Sequence, residues 1–299
     1  MRLLITGARG LVGYHVAQLA ESRGFLPILS GRGSNPMPQY PYFNADLTEA
    51  AAVYELIRQA QPDVVIHSAA MTQVDACQAQ PLVCWQNNVL ATRLLLQALA
   101  ELFPKAHFIF ISTDFVYDGF PMVRRPYIEG DYEAPLSVYG ASKLAAEAWV
   151  KLYPGFWTIV RTTQVYGWTP SLVRDNILLR VLSKLKNHQP IQMHSDQIRR
   201  PTWAGDLAEG LLLLARLRAQ GIYHLAGQDI LTPYQFSCQA AEIWGLPTSL
   251  IEPVTQEKLQ LPAPRPLYSP LSIEKAQALG YQPHPTEEIL KTLRQTIPL

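Results

Sequence analysis

Short, almost uninterrupted apolar runs punctuate the first half of the chain at regular intervals: Arg2–Thr6, Phe25–Ser30, Asp63–His67, His107–Ser112 and Trp157–Arg161. Continuous apolar runs of this length fit strands buried on both faces, as in a parallel sheet. Between them, Tyr14–Arg23, a stretch from Thr48 to Gln59, a long one from about Pro81 to Leu102, and Tyr139–Tyr153 carry apolar residues at helical spacing. Asn44-Ala45-Asp46-Leu47 closes a third strand, and Thr48 then caps the helix that follows. Strand and helix in alternation predict an α/β fold with a doubly wound parallel sheet. The segment Tyr117–Ser137, with its Gly, Pro and acidic clusters, reads as a long loop or flap. From about residue 165 the rhythm changes. Proline-rich and polar loops separate helices near 173–187, 205–217, 233–244, 272–279 and 286–295, and Ile222–Leu225 looks like a strand returning to the main sheet. The expected organisation is a dinucleotide-binding domain over 1–164 and a smaller substrate lobe over 165–299, with part of it, around 205–230, threaded back.

The chemistry starts directly after the first strand. Gly7, Gly10 and Gly13 follow Thr6 and lead into a helix, the arrangement that holds a pyrophosphate at a helix N-terminus in Rossmann-type sheets. The spacing is Gly-x-x-Gly-x-x-Gly. Where an NAD site places an acidic residue, at the end of the second strand, this chain has Ser30-Gly31-Arg32. A guanidinium suits a 2′-phosphate, so NADPH is favoured over NADH, and Arg9 inside the glycine loop adds a second positive charge. Ser68-Ala69-Ala70 ends the fourth strand with side chains small enough to let a cofactor near the backbone. His67 beside them reads as a packed histidine. Asn87 and Asn88, in mid-helix, suggest a hydrogen-bonding task. Ser112-Thr113-Asp114 sits at the C-terminal end of the fifth strand, where open parallel sheets bind ligands. Tyr139 and Lys143, four apart, share one helix face. An ammonium beside a phenol favours the phenolate, so Lys143 is expected to lower the Tyr139 pKa and fit it for proton exchange with a carbonyl or alcohol.

Composition narrows the class without changing it. With 48% hydrophobic and 16% charged residues and a net charge of +1, the chain has the make-up of a globular enzyme and no general attraction for nucleic acid or an anionic membrane. No window is apolar for long enough to span a bilayer. The first strand begins just after Met1, leaving no room for a signal peptide, and three cysteines without a Cys-x-x-Cys read as reduced thiols, so a cytoplasmic location is expected. The seven histidines lack metal-binding spacing, and no metal is expected.

Taken together, Gly7-x-x-Gly10-x-x-Gly13, His67-Ser-Ala-Ala70, Asn88, Ser112-Thr113-Asp114 and Pro135-x-Ser137-x-Tyr139-Gly140-x-Ser142-Lys143 resemble the extended short-chain dehydrogenase/reductase family. Within it the chain is most similar to the dTDP-4-dehydrorhamnose reductases, through Ala69–Asp75, Ile111–Gly119, Arg161-Thr162, Val165-Tyr166, Asp196-Gln197, Pro201-Thr202, Arg265-Pro266 and Ser272–Lys275. The resemblance implies an NAD(P)H-dependent reductase of a 4-keto-6-deoxy sugar nucleotide, in dTDP-rhamnose biosynthesis. Thr113, Tyr139 and Lys143 would be catalytic. Gly7, Arg9, Gly10, Leu11, Val12, Gly13, Ser30, Arg32, Asp46, Leu47, Ser68, Ala69 and Ala70, with Tyr139 and Lys143, would bind the cofactor. Thr72, Val74, Thr113, Asp114, Phe115, Gln164 and Arg200 would bind substrate, with Arg161 and Arg200 as candidates for its diphosphate. Gln164 and Met71 depart from the aromatic residues those reductases carry there, which leaves open a reductase of another carbonyl compound. Two further alternatives stand: a sugar-nucleotide 4-epimerase with retained NAD, and, through Ile198–Thr202, a non-catalytic regulatory subunit like the methionine adenosyltransferase beta subunit. A homodimer is also left open.

Overall fold

The computed structural model describes residues 1–121, 125–170 and 175–298. Its strands are β1 (Arg2–Thr6), β2 (Leu26–Gly31), β3 (Tyr42–Asn44), β4 (Val64–His67), β5 (His107–Thr113), β6 (Trp157–Thr162), β7 (Val165–Tyr166), β8 (Ile191–His194), β9 (Thr202–Trp203), β10 (Gly221–His224) and β11 (Ile251–Val254). Seven of them form one parallel sheet in the order β10-β6-β5-β4-β1-β2-β3. The strand order reverses between β1 and β4, which opens a crevice at their C-terminal ends.

The apolar runs are explained by burial on both sides. On one face Leu3, Ile5, Val64, Ile66, Ile109 and Val160 pack under the helices Leu11–Ala20 and Ala204–Leu217. On the other, Leu4, Val65, Phe108, Phe110 and Ile159 pack under Ala50–Ala60, Ala91–Leu102 and Val138–Lys151. The helix Ala204–Leu217 covers the first face and β10 extends the sheet beyond β6. The remaining C-terminal residues build a small lobe around Leu178, Leu182, Phe236, Leu290 and Leu293, from the helices Ile177–Lys186, Pro233–Trp244 and Thr286–Thr296, with the two-stranded pairs β7/β9 and β8/β11 beside them.

Several expectations are corrected. The third strand ends at Asn44 and does not reach Leu47. Thr48 does not cap the next helix; the backbone N–H and the hydroxyl of Thr48 both donate to Asp46 Oδ1, at 2.9 and 2.8 Å, and the helix starts at Ala50. An Asx turn has outcompeted the cap. The stretch from Pro81 to Leu102 is interrupted: α-helix at Pro81–Trp85, a π turn at Gln86–Leu90, then α-helix again. The helix expected near 173–187 runs over Ile177–Lys186, and its positions 173 and 174 lie outside the described residues, as do 122–124 of the Tyr117–Ser137 loop. The one expected at 272–279 is a single turn, Glu274–Gln277.

Candidate active site

Thr6, His67, Thr113 and Thr162 end four adjacent strands at the same edge of the sheet. The glycine loop leaves the first of these. Gly7 has φ +70, and a Cβ on it would lie 2.7 Å from the backbone nitrogen of Ala69; one on Gly13 would lie 2.5 Å from the Gly7 carbonyl oxygen. Glycine is needed at both places because backbone meets backbone. The helix that follows has no side-chain cap and no acidic residue in its first turn, so its N–H groups and positive dipole end stay available for an anion. Ser68 donates its hydroxyl to the Thr6 carbonyl at 2.6 Å, locking Ser68-Ala69-Ala70 against the loop. These features fit the pyrophosphate of a dinucleotide. Leu11 and Val12 are half-buried at the head of the helix.

At the end of β2, Arg9 reaches across to donate to the Arg32 carbonyl at 2.7 Å. The Arg32 side chain is 65% exposed and only loosely paired, 3.9 Å from Asp46. Ser30 is fully buried and its hydroxyl has no partner among the described residues; the same holds for the buried hydroxyl of Tyr42 on β3, close to Gly31 and Arg9. Two cations and two idle hydroxyls at the β2 end fit a phosphorylated ribose. Asp46 is engaged by Thr48, and Leu47 is half-buried beside it. Tyr42 gave no signal in sequence, since its position depends on the register of β3.

The helix Val138–Lys151 begins with Ser137, whose hydroxyl accepts from the Gly140 N–H at 3.2 Å. This start puts Tyr139 and Lys143 on the turns nearest the crevice, both buried. The Thr113 hydroxyl lies near enough to the Tyr139 phenol to favour its ionised form, so β5 and this helix bring two of the three expected catalytic groups together. The Lys143 ammonium sits 4.0 Å from the centre of the Phe110 ring. The Phe115 ring meets Tyr139 edge-on at 5.6 Å, and Met71, Val74 and Cys77 complete the wall around the phenol. Thr72 is exposed beside them.

The electrostatics differ from the expectation. Burial pushes the Tyr139 phenol well above its ordinary pKa, with the Thr113 hydroxyl pulling the other way. Burial also draws Lys143 down to about 7, against the attraction of Glu147. The ammonium therefore does not make Tyr139 a phenolate here: desolvation of both groups exceeds their mutual effect. A phenol that keeps its proton at neutral pH is suited to giving it away.

Asn88 explains the π turn. Its Oδ1 accepts from Met71 N–H at 2.8 Å, and its Nδ2 donates to the Met71 carbonyl at 3.1 Å and to Ser142 Oγ at 2.9 Å. Ser142 in turn donates to the Tyr139 carbonyl at 2.7 Å. One buried amide thus ties the loop after β4 to the Tyr139 helix. His67 is a packed residue, between Thr6 Oγ1 at 2.7 Å and Thr92 Oγ1 at 3.1 Å, and burial lowers it to about 3.

Other expected binding residues are taken up elsewhere. Arg161 is not at a phosphate site: it is fully buried and paired with Glu147 and Glu133. Asp114 lies next to Thr113, but its carboxylate is buried, accepts from Ser269 Oγ at 2.5 Å and faces Arg199 Nε at 3.6 Å. It joins the β5 end to the small lobe. Arg200 donates to the carbonyls of Gly227 and Gln228 at 3.1 and 3.2 Å. Gln164 keeps a left-handed backbone, φ +40, and its buried Nε2 has no partner among the described residues. A second tie sequence reasoning missed is the two-pronged bridge of Arg265 to Asp75, at 3.1 and 2.7 Å. Among the described residues no cluster of three or more His, Cys, Asp or Glu could hold a metal, and no helix is long and apolar enough to cross a membrane.

Known proteins are similar to this chain over nearly its whole length. A dTDP-4-dehydrorhamnose reductase of Streptomyces griseus is 32% identical over 94% of this chain and 89% of its own. The methionine adenosyltransferase 2 subunit beta of Xenopus tropicalis is also 32% identical, over 93% of this chain and 82% of its own. The crystal structure of dTDP-4-dehydrorhamnose reductase from Bacillus anthracis in complex with NADP superposes with a TM-score of 0.83 at 26% identity, covering 99% of each chain. The family described as RmlD substrate binding domain matches residues 1–297, which spans both the glycine crevice and the small lobe, and the chain belongs to that family.

Proposed function

We propose that this protein is an NADPH-dependent reductase of a 4-keto-6-deoxy sugar nucleotide, of the dTDP-4-dehydrorhamnose reductase type. The observation that carries the reading is the closeness of Thr113, at the end of β5, to the Tyr139 phenol, with Lys143 one helical turn away and the glycine loop leaving the same edge of the sheet. NADPH, when bound, supplies hydride. The glycine loop holds its pyrophosphate, and Arg9 and Arg32 receive its 2′-phosphate. Thr113 and Tyr139 hydrogen-bond the substrate carbonyl oxygen, and Tyr139 delivers its proton there as the carbon is reduced. General acid help of this kind is worth about 10²–10⁴-fold, and orientation of donor and carbonyl supplies a larger part. Lys143 keeps positive charge beside the phenol as that proton leaves. Gln164, whose buried Nε2 has no partner among the described residues, would meet the substrate at the β6 end. Residues 1–164 act as the nucleotide domain and the small lobe as the sugar-nucleotide clamp, in the cytosol, where the thiols of Cys77, Cys84 and Cys238 stay reduced.

The test is absorbance of NADPH and NADH on adding a dTDP-4-keto-6-deoxyhexose. Oxidation of NADPH in the wild type, with Tyr139→Phe binding NADPH normally but turning over at least about 10²-fold more slowly, supports the reading. Wild-type-like turnover in Tyr139→Phe ends it. The likeness to the adenosyltransferase beta subunit favours a second reading, a regulatory dinucleotide-binding subunit. Stoichiometric association with a larger enzyme and no keto-sugar reduction would select it.

A further inference from the structure

Tyr139, Lys143 and Glu147 fall on successive turns of one helix face, and all three are buried. The reduction described above uses only the first two. Glu147 is 0% exposed; its carboxylate accepts from Arg161 Nε at 3.0 Å and Nη2 at 2.7 Å, and from Ser112 Oγ at the end of β5. Arg161, equally buried, gives its remaining donors to Glu133 at 2.6 Å and to the Tyr117 hydroxyl at 2.7 Å. Glu133 is 25% exposed and forms the outer end of the network. Charges thus alternate along Glu133, Arg161, Glu147 and Lys143. They cancel only while Lys143 holds its proton.

We propose that Glu147, held in place by Arg161, is a positioning residue for catalysis: it keeps Lys143 protonated in a pocket closed to water and so sets the upper pH limit of turnover. The inference rests on the reductase reading. Among the described residues no other group around Lys143 supplies a standing negative charge. Phe110 is neutral, His67 on β4 is uncharged near neutral pH, and Tyr139 retains its proton. Cys77 and Cys84 face Lys143 from the helices Val74–Ala79 and Pro81–Trp85. The Cys77 thiol beside Cys84 draws the latter down to about 7, so its charge is not standing but develops over the same range in which Lys143 loses its proton. Lys143 itself stands at about 7, pulled down by burial and up by Glu147. Removing the Glu147 charge therefore leaves a largely neutral amine at neutral pH. A neutral amine cannot support the phenol as its proton leaves.

The experiment compares pH profiles of kcat and kcat/KM for the wild type, Glu147→Gln and the double variant Glu147→Gln/Arg161→Met. The double variant removes both buried charges together and so avoids leaving a lone guanidinium inside. NADPH affinity is followed by fluorescence over the same pH range. The expected result is an alkaline limb displaced downward by about one pH unit in Glu147→Gln and by less in the double variant, which also removes the Arg161 charge, with the fall in NADPH affinity displaced alongside it. A folded Glu147→Gln variant with lower turnover at every pH but an unmoved limb would overturn the proposal, because a merely structural residue changes amplitude alone; should that variant not fold, a limb unmoved in the double variant and an unmoved high-pH loss of NADPH affinity overturn it together. Should the wild type reduce no keto sugar nucleotide, the reductase reading fails. The role of Glu147 is then decided by NADPH affinity, which must still lose its high-pH range in Glu147→Gln.

Discussion

Replacing Asn88 by alanine tests the claim that one amide fastens the Tyr139 helix to the loop after β4. Asn88 is 1% exposed and holds the Met71 N–H at 2.8 Å, the Met71 carbonyl at 3.1 Å and Ser142 Oγ at 2.9 Å. Alanine leaves the N–H without a partner, leaves the carbonyl only the weak Cys77 thiol at 3.4 Å, and opens a small void. An orphaned buried group costs about 1–3 kcal/mol, and the void adds about 1 kcal/mol. Met71 is half-buried, so water relieves part of this, and a loss of about 3 kcal/mol is expected. For a chain of this size that is a fall of about 6 °C in Tm. The control is next door: Asn87 is half-buried and donates to the Val83 carbonyl at 2.8 Å through a bond open to solvent, so Asn87→Ala should cost under about 1 kcal/mol. Urea unfolding of both variants at neutral pH gives the comparison. Equal losses, or a loss under about 1 kcal/mol for Asn88→Ala, would refute the anchoring role and make the π turn a passive irregularity.

Gly7→Ala should fold but lower NADPH affinity at least about tenfold, measured by fluorescence titration, since its Cβ would press on the Ala69 backbone in a left-handed conformation. Arg32→Ala should weaken NADPH by about 10–100-fold while leaving NADH affinity and Tm unchanged, because this side chain is largely exposed and only loosely paired; equal effects on both cofactors would reject the 2′-phosphate role. Burial holds His15 and His107 at about 4 and His67 and His224 at about 3, all below the unfolded value of 6.5. Unfolding releases them to take up protons as pH falls below 6.5, so the stability they contribute is complete above that pH and is lost toward pH 4–3. Each should contribute a slope on the order of 1 kcal/mol per pH unit, visible as a steep fall in Tm between pH 6 and 4 (about two units); a flat Tm there would contradict their neutral burial.

What could be read in sequence was what local periodicity encodes. The strands of the main sheet are apolar on both faces, so β1, β2, β4, β5 and β6 announced themselves. The glycine loop and the Tyr139–Lys143 pair were equally plain, because a turn and a helix face are local objects. β7, β8, β9 and β11 hold two to four residues each and were not legible. Neither were partners far apart in the chain: Asp114 finds Arg199 and Ser269, and Asp75 finds Arg265, only when the lobe folds back. Arg161 shows the limit most clearly. A charge at a strand end signals a ligand or a buried partner equally well, and Glu147, one turn beyond Lys143, was the clue that favoured the partner. The sign of the Tyr139 shift was misjudged because dryness belongs to the tertiary structure, not to the spacing of two residues.

The placement of β10 has a bearing on how the protein is made. This strand is the last to join the sheet and comes some 60 residues after β6 in the chain (a loop closure costing only about 0.6 kcal/mol per doubling of length). Until it emerges from the ribosome, β6 presents an open border of unpaired amides and carbonyls, and the face under Ala204–Leu217 lies bare. Such a border invites pairing with a neighbouring nascent chain. Ending the polypeptide at residue 164 would make that hazard permanent, yielding an aggregation-prone fragment instead of a free-standing nucleotide domain.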